Sequence, residues 1–139
     1  LIYPSGYYNA KALKIESFVH WLGEHYNDNL DKLFSLDIPS LREGLLSVYG
    51  IGEETADSII LYAARKPVFV IDAYTRRIIT RLGLQPPTNN YAAFQKLFMQ
   101  HLPPDELLML FLFAIVRRDV KNYPFVKDAV FIPPAPSLG

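Results

Sequence analysis

Apolar positions recur at three- and four-residue spacing through the first two thirds of the chain. Ala12, Ile15, Phe18, Val19 and Leu22 share one stripe of a helix of about four turns, with Lys14, Glu16 and Glu24 on its other faces. Asn27-Asp28-Asn29 breaks that helix. Leu30, Leu33, Phe34 and Leu36 then make a short apolar patch ahead of Ile38-Pro39-Ser40. Ser40 suits an N-cap, and Leu41, Leu45, Leu46 and Val48 predict a second short helix behind it. Gly50-Ile51-Gly52 stops the pattern, and Glu53 opens a third helix through Ala64. Its predicted inward residues are Ala56, Ile59, Ile60, Tyr62 and Ala63, and two acids lie in the first turn, where the helix dipole favours them.

Val68-Phe69-Val70-Ile71 could be a buried strand, but no second comparable run exists to pair with it, so a buried connection is expected. Asp72 closes the run. A helix from Ala73 to Leu82 follows, with Ile78, Ile79 and Leu82 inward and Gly83 as its C-terminal cap. Pro86 to Asn89 reads as a loop, Tyr91 to His101 as an amphipathic helix, and Pro103-Pro104-Asp105 as the start of another. That last helix is apolar on all sides through Val116, which predicts a central position. From Asn122 onward prolines recur without period. The expected fold is all-α, a helical bundle over residues 1–121, with 122–139 an extended tail.

Composition narrows the chemistry. A chain of 139 residues, half of them apolar, suffices for one compact domain. The absence of cysteine excludes disulfides, thiolate metal sites, iron-sulfur clusters and cysteine nucleophiles. Basic and acidic residues number 14 each, which argues against a uniformly basic coat, but they are unevenly spread. Residues 1–60 carry 4 basic and 9 acidic side chains, and residues 61–139 carry 10 basic and 5 acidic. The second stretch could face an anion, or the asymmetry is ordinary surface variation. The chain opens on Leu1 without a visible secretory signal, which allows a processed chain or a fragment. Its longest apolar run, Leu107 to Val116, is shorter than the ~20 residues a membrane helix needs. A soluble monomer is expected, cytoplasmic and at the nucleoid if bacterial, intracellular otherwise.

The informative segment is Leu45-Leu46-Ser47-Val48-Tyr49-Gly50-Ile51-Gly52-Glu53-Glu54-Thr55-Ala56-Asp57, followed at a distance by Ile71-Asp72-Ala73-Tyr74-Thr75-Arg76-Arg77. A Gly-x-Gly turn entering a helix leaves backbone N–H groups unpaired at the positive end of a dipole and lets a phosphate approach closely. The same glycines also serve a tight turn between packed helices. Asp72 can act as a carboxylate beside a reacting sugar or as the N-cap of the helix that Ala73 begins, and the two roles can coexist.

These residues resemble the helix-hairpin-helix motif and following Asp loop of the endonuclease III-like DNA glycosylases. Upstream, Ser5-Gly6-Tyr7-Tyr8-Asn9-Ala10-Lys11-Ala12 is similar to a helix-opening segment of the same family, and Phe113-Ala114-Ile115-Val116 looks like its penultimate helix. The resemblance covers most of residues 1–120. It implies that Asp72 is the catalytic aspartate, stabilising the oxocarbenium-like sugar or orienting water, and that Gly50, Ile51, Gly52, Thr55, Arg76 and Arg77 meet double-stranded DNA from which a damaged base has been flipped. Lys66, Arg117, Arg118 and Lys121 are further basic candidates, each readable equally as a solvated surface charge.

Bifunctional members of that family carry a Lys that attacks the sugar, and the matching position here is Glu54, which cannot form a Schiff base. A monofunctional hydrolysis is therefore implied. Gly52-Glu53-Glu54-Thr55-Ala56-Asp57 looks most like the branch that removes alkylated purines such as 3-methyladenine. Glu54 would then help recognise the base, or simply compensate the helix dipole. The family's iron-sulfur ligands are missing, so no cofactor is expected apart from a structural Na⁺ or K⁺ on the backbone carbonyls of Leu46, Val48 and Ile51. The family's base pocket comes largely from a part preceding Leu1; Tyr7, Tyr8 and Trp21 are aromatic candidates, Trp21 also fitting a core position. His20, His25 and His101 lack metal-ligand spacing. Two other readings compete: a non-catalytic helix-hairpin-helix module that only grips phosphates, and a glycosylase with lyase activity.

Overall fold

The computed structural model describes residues 8–113, and every described element is helical. The expectations for Tyr7, for the helix beyond Phe113, for Arg117, Arg118 and Lys121 and for the Pro-rich tail lie outside those residues. Contacts divide the chain into two compact units, 1–64 and 65–139. The division separates the acidic stretch from the basic one, since residues 61–64 carry no charge.

The first unit holds α1 (Tyr8–Tyr26), α2 (Leu30–Phe34), α3 (Ile38–Leu46) and α4 (Glu53–Ser58), the last running straight into a π-helical turn, Ile59–Ala63. Asn27 and Asp28 adopt left-handed conformations (φ 52° and 58°), tolerable for short polar side chains, and so reverse the chain between α1 and α2. Asn29 caps α2 by accepting from the Lys32 N–H at 3.1 Å. Leu22, Leu33, Leu41, Leu45, Val48, Ala56, Ile60 and Leu61 form the buried interior of this unit. The cap of α3 is Asp37, not Ser40. The Asp37 carboxylate accepts from the Ser40 N–H, and Pro39 lies in the first turn, where no amide hydrogen is required.

Two expectations on inward faces are corrected. The π-helical turn adds a residue to the helix after Ser58 and shifts its phase, so Ile60 and Leu61 are buried while Tyr62 is exposed and Ile59 half-buried. On α1 only Leu22 of the predicted stripe is buried; Ile15 and Val19 remain 51% and 55% exposed.

The second unit contains α5 (Ala73–Arg81), α6 (Tyr91–His101) and a helical stretch over 106–113. Asn90 caps α6 and Asp105 caps the last stretch, each accepting from backbone N–H groups of the first turn. Gly83, at φ +72°, ends α5 in a Schellman arrangement, with the Leu84 N–H on the Ile79 carbonyl and the Gly83 N–H on the Thr80 carbonyl. Val68 to Ile71 is buried without a strand partner because α6 side chains serve its backbone. Tyr91 Oη accepts from the Ile71 N–H at 3.3 Å, Gln95 Nε2 donates to the Phe69 carbonyl at 2.9 Å, and the Phe69 and Phe98 rings stack with centroids 4.0 Å apart. The helix over 106–113 buries Met109 and Phe113 but exposes Leu107 and Phe111 at 61% and 62%, so it is not enclosed on all sides as its composition implied. No described helix is long and apolar enough to cross a membrane.

Candidate functional site

The predicted hairpin lies in the first unit. Helix α3 tightens at its end, with the Val48 N–H on the Leu45 carbonyl, and the chain reverses through a turn in which the Ile51 N–H donates to the Val48 carbonyl at 3.2 Å. Gly50 occupies the left-handed region at φ +82°, and a methyl group there would overlap the Lys14 side chain, which crosses over it from α1. Gly50 is therefore required by the fold. Gly52 is not. Its φ of −92° suits any residue, and a Cβ placed on it would meet none of the described residues within 4 Å.

Gly52 is also the N-cap of α4, and among the described residues that helix start has no side-chain cap hydrogen bond. The first backbone bond of α4 is the Ala56 N–H on the Gly52 carbonyl, which leaves the Glu53, Glu54 and Thr55 N–H groups ahead of it with exposed side chains around them. A position with room for a side chain, at a helix start where Ser, Thr, Asp or Asn would stabilise, holds instead the residue that keeps the amides accessible.

Across the hairpin, Arg42 of α3 clamps Asp57 of α4. Its Nε donates to Asp57 Oδ1 at 2.8 Å and its Nη2 to Oδ2 at 3.3 Å, and the same Nη2 lies 3.6 Å from Glu53 Oε1. Asp57 is wholly buried. Neither Arg42 nor Asp57 emerged as a site residue from sequence. The available signal was an acid sharing the inward phase of Ala56 and Ile60 with a single arginine on the preceding helix. Lys11, Lys14, Phe18, Ile51, Thr55 and Ile59 line an open, mainly apolar cleft of about 370 Å³ beside the hairpin.

Glu54 is exposed in the first turn of α4, its carbonyl accepting from the Ser58 hydroxyl at 2.7 Å. Of the carbonyls named for a cation, that of Val48 serves the Ile51 N–H, which leaves one lone pair. Trp21 is half-buried, its ring packed near those of Phe18, His25 and Tyr26. No group of His, Asp and Glu able to hold a metal ion occurs among the described residues.

Asp72 lies in the second unit as the N-cap of α5. Its Oδ1 accepts from both the Thr75 N–H and the Thr75 hydroxyl at 2.8 Å, and the residue is 6% exposed. The buried run Val68 to Ile71 delivers it and Tyr91 pins the residue before it. Arg76 and Arg77 follow on α5 but differ in circumstance. The Arg76 guanidinium lies 5.1 Å from the centroid of the Phe94 ring and donates to Asn89 Oδ1 at 3.4 Å, whereas Arg77 is exposed, with its guanidinium 5.7 Å from the Tyr74 ring centroid.

The chain is similar to several known proteins. Over 107 residues it is 40% identical to a protein of Methanocaldococcus jannaschii provisionally named a DNA repair glycosylase, a match covering 76% of this chain and 48% of that protein. It is 34% identical over 106 residues to an endonuclease III of Sulfolobus acidocaldarius, and 30% identical over 105 residues to an endonuclease III of Thermotoga maritima. Those matches cover 76% and 73% of this chain, and 45% and 46% of the two relatives. The chain thus spans about half the length of the curated relatives it matches. No protein-family model matches it.

Proposed function

We propose that this chain belongs to the endonuclease III superfamily of helix-hairpin-helix DNA glycosylases and serves base-excision repair. The observation that carries the reading is Gly52. Among the described residues nothing asks for glycine there, and the absent side chain leaves the amides of the first turn of α4 open to a phosphate oxygen. The names of its relatives point the same way.

Asp72 supplies the chemistry. When the N-glycosidic bond of a damaged nucleotide breaks, the base leaves with the bonding electrons, positive charge develops at C1′ and the ring oxygen, and water completes the substitution. A carboxylate fixed by two hydrogen bonds from Thr75 needs no reorganisation to face that charge. Glu54 stands where a lyase of this superfamily would carry its amine, and a carboxylate cannot form a Schiff base, so the reaction proposed is monofunctional hydrolysis. Purines alkylated to a cation, such as 3-methyladenine, leave without a general acid and suit a site of this kind. Two relatives bear the name endonuclease III, which favours a lyase as the second reading.

Base release from duplex DNA containing 3-methyladenine, scored as abasic sites with the full-length protein, tests the proposal. Asp72→Asn retains an acceptor for the α5 cap and is expected to slow release at least about a hundredfold, within the range typical of a lost transition-state electrostatic contact. Unchanged release would remove Asp72 from the mechanism. Salt-dependent duplex binding without release would leave the non-catalytic module. A covalent adduct trapped by borohydride would establish the lyase.

A further inference from the structure

We infer that Arg42 is a positioning residue for the hairpin, its one guanidinium holding the two limbs together through Asp57 while neutralising Glu53 beside the amides offered to a phosphate. The inference rests on the phosphate grip proposed above and extends it to a residue outside the hairpin.

The need arises from charge. Residues 1–64 carry 4 basic and 9 acidic side chains, and two of the acids, Glu53 and Glu54, occupy the first turn of α4. First-turn acids stabilise a free helix, but the positive end they compensate is also what attracts a phosphate, so each opposes binding. Arg42 answers one of the two. Its Nη2 lies between Asp57 Oδ2 at 3.3 Å and Glu53 Oε1 at 3.6 Å, while Nε holds Asp57 Oδ1 at 2.8 Å. Asp57 has no exposure and fixes the guanidinium from below, so the end facing Glu53, itself about half exposed, does not wander. The planar fork holds Asp57 through two nitrogens while one of them also faces Glu53. A lysine offers one mobile nitrogen for all three oxygens, so it holds neither carboxylate as firmly.

The two roles separate experimentally. In the full-length protein, affinity for undamaged duplex and melting temperature are measured for wild type, Arg42→Lys, Arg42→Lys with Glu53→Gln, and Arg42→Met with Asp57→Leu. Arg42→Lys is expected to weaken binding about fivefold, and adding Glu53→Gln to restore it to within about twofold of wild type. The Met/Leu pair replaces a buried ion pair by apolar groups of similar size, which proteins tolerate, so it should melt near wild type yet bind as weakly as Arg42→Lys. Affinity that simply follows melting temperature, or a Glu53→Gln change that restores nothing, overturns the inference. Should the Met/Leu pair fail to fold, the Arg42→Lys comparison decides alone. Gly52→Arg separates the two levels: if it abolishes wild-type binding while Arg42→Lys binds normally, only the role of Arg42 is lost. If wild type shows no salt-dependent binding, or Gly52→Arg leaves it intact, the phosphate grip falls and this inference with it.

Discussion

Replacing Gly52 by Ser sets stability and binding against each other. The position has φ −92° and ψ −177°, the extended geometry of an N-cap, and a Cβ there meets no atom of the described residues within 4 Å. Ser can therefore be accommodated without strain, and its hydroxyl can accept from an amide of the first turn of α4. Exchanging glycine for serine at an N-cap gains a few tenths of a kcal/mol. In a domain of this size that raises the melting temperature by roughly 1–2 °C. The same hydroxyl occupies an amide that a phosphate would use, and its Cβ stands in the approach. Loss of one charged hydrogen bond, about 1.5–3 kcal/mol, corresponds to a ~10- to 100-fold weaker complex. Calorimetry of the melt and fluorescence anisotropy on undamaged duplex at fixed salt read the two effects. A protein that melts higher and binds worse fits the reasoning. A lower melting temperature would show that glycine is structural at this position, and unchanged affinity would show that the amides of α4 meet no phosphate.

Gly50→Ala should behave oppositely, losing about 1–2 kcal/mol in urea unfolding because an L-residue at φ +82° is strained and its methyl meets Lys14. Arg42→Ala takes the guanidinium from the wholly buried Asp57 carboxylate and should cost about 3–5 kcal/mol in the same assay, far more than removal of an exposed acid such as Glu24. Tyr91→Phe deprives the Ile71 N–H of its acceptor next to Asp72. A loss of about 1–3 kcal/mol is expected, with base release falling further than at Met99, an exposed position on the same helix.

The helical character of the described residues was legible because it is local. Spacing and the Asn27 break placed the end of α1, though not its full length, and set α5 close to its observed bounds; Tyr91–His101 matches to the residue, with Asn90 capping its start and Pro103 shortly after its end. Ser40 misleads for an equally simple reason: two polar residues, Asp37 and Ser40, flank Ile38-Pro39, and only the path of the chain into α3 selects Asp37 as the cap. The π-helical turn after Ser58 has no side-chain signature, and with it went the inward faces of Ile59, Tyr62 and Ala63.

What the sequence determined by itself is the placement of Gly50, Gly52 and Asp72 at element boundaries, since a left-handed turn, a helix start and an N-cap are short-range demands on the backbone. What only the tertiary structure decided is which of the two glycines the fold needs. Lys14 reaches Gly50 from a helix 36 positions earlier, and among the described residues no side chain reaches Gly52. The pairing of Arg42 with Asp57 is of the same kind. A charge is buried only when a partner from another element meets it, and the distance between two such residues along the chain does not reveal that they meet in space.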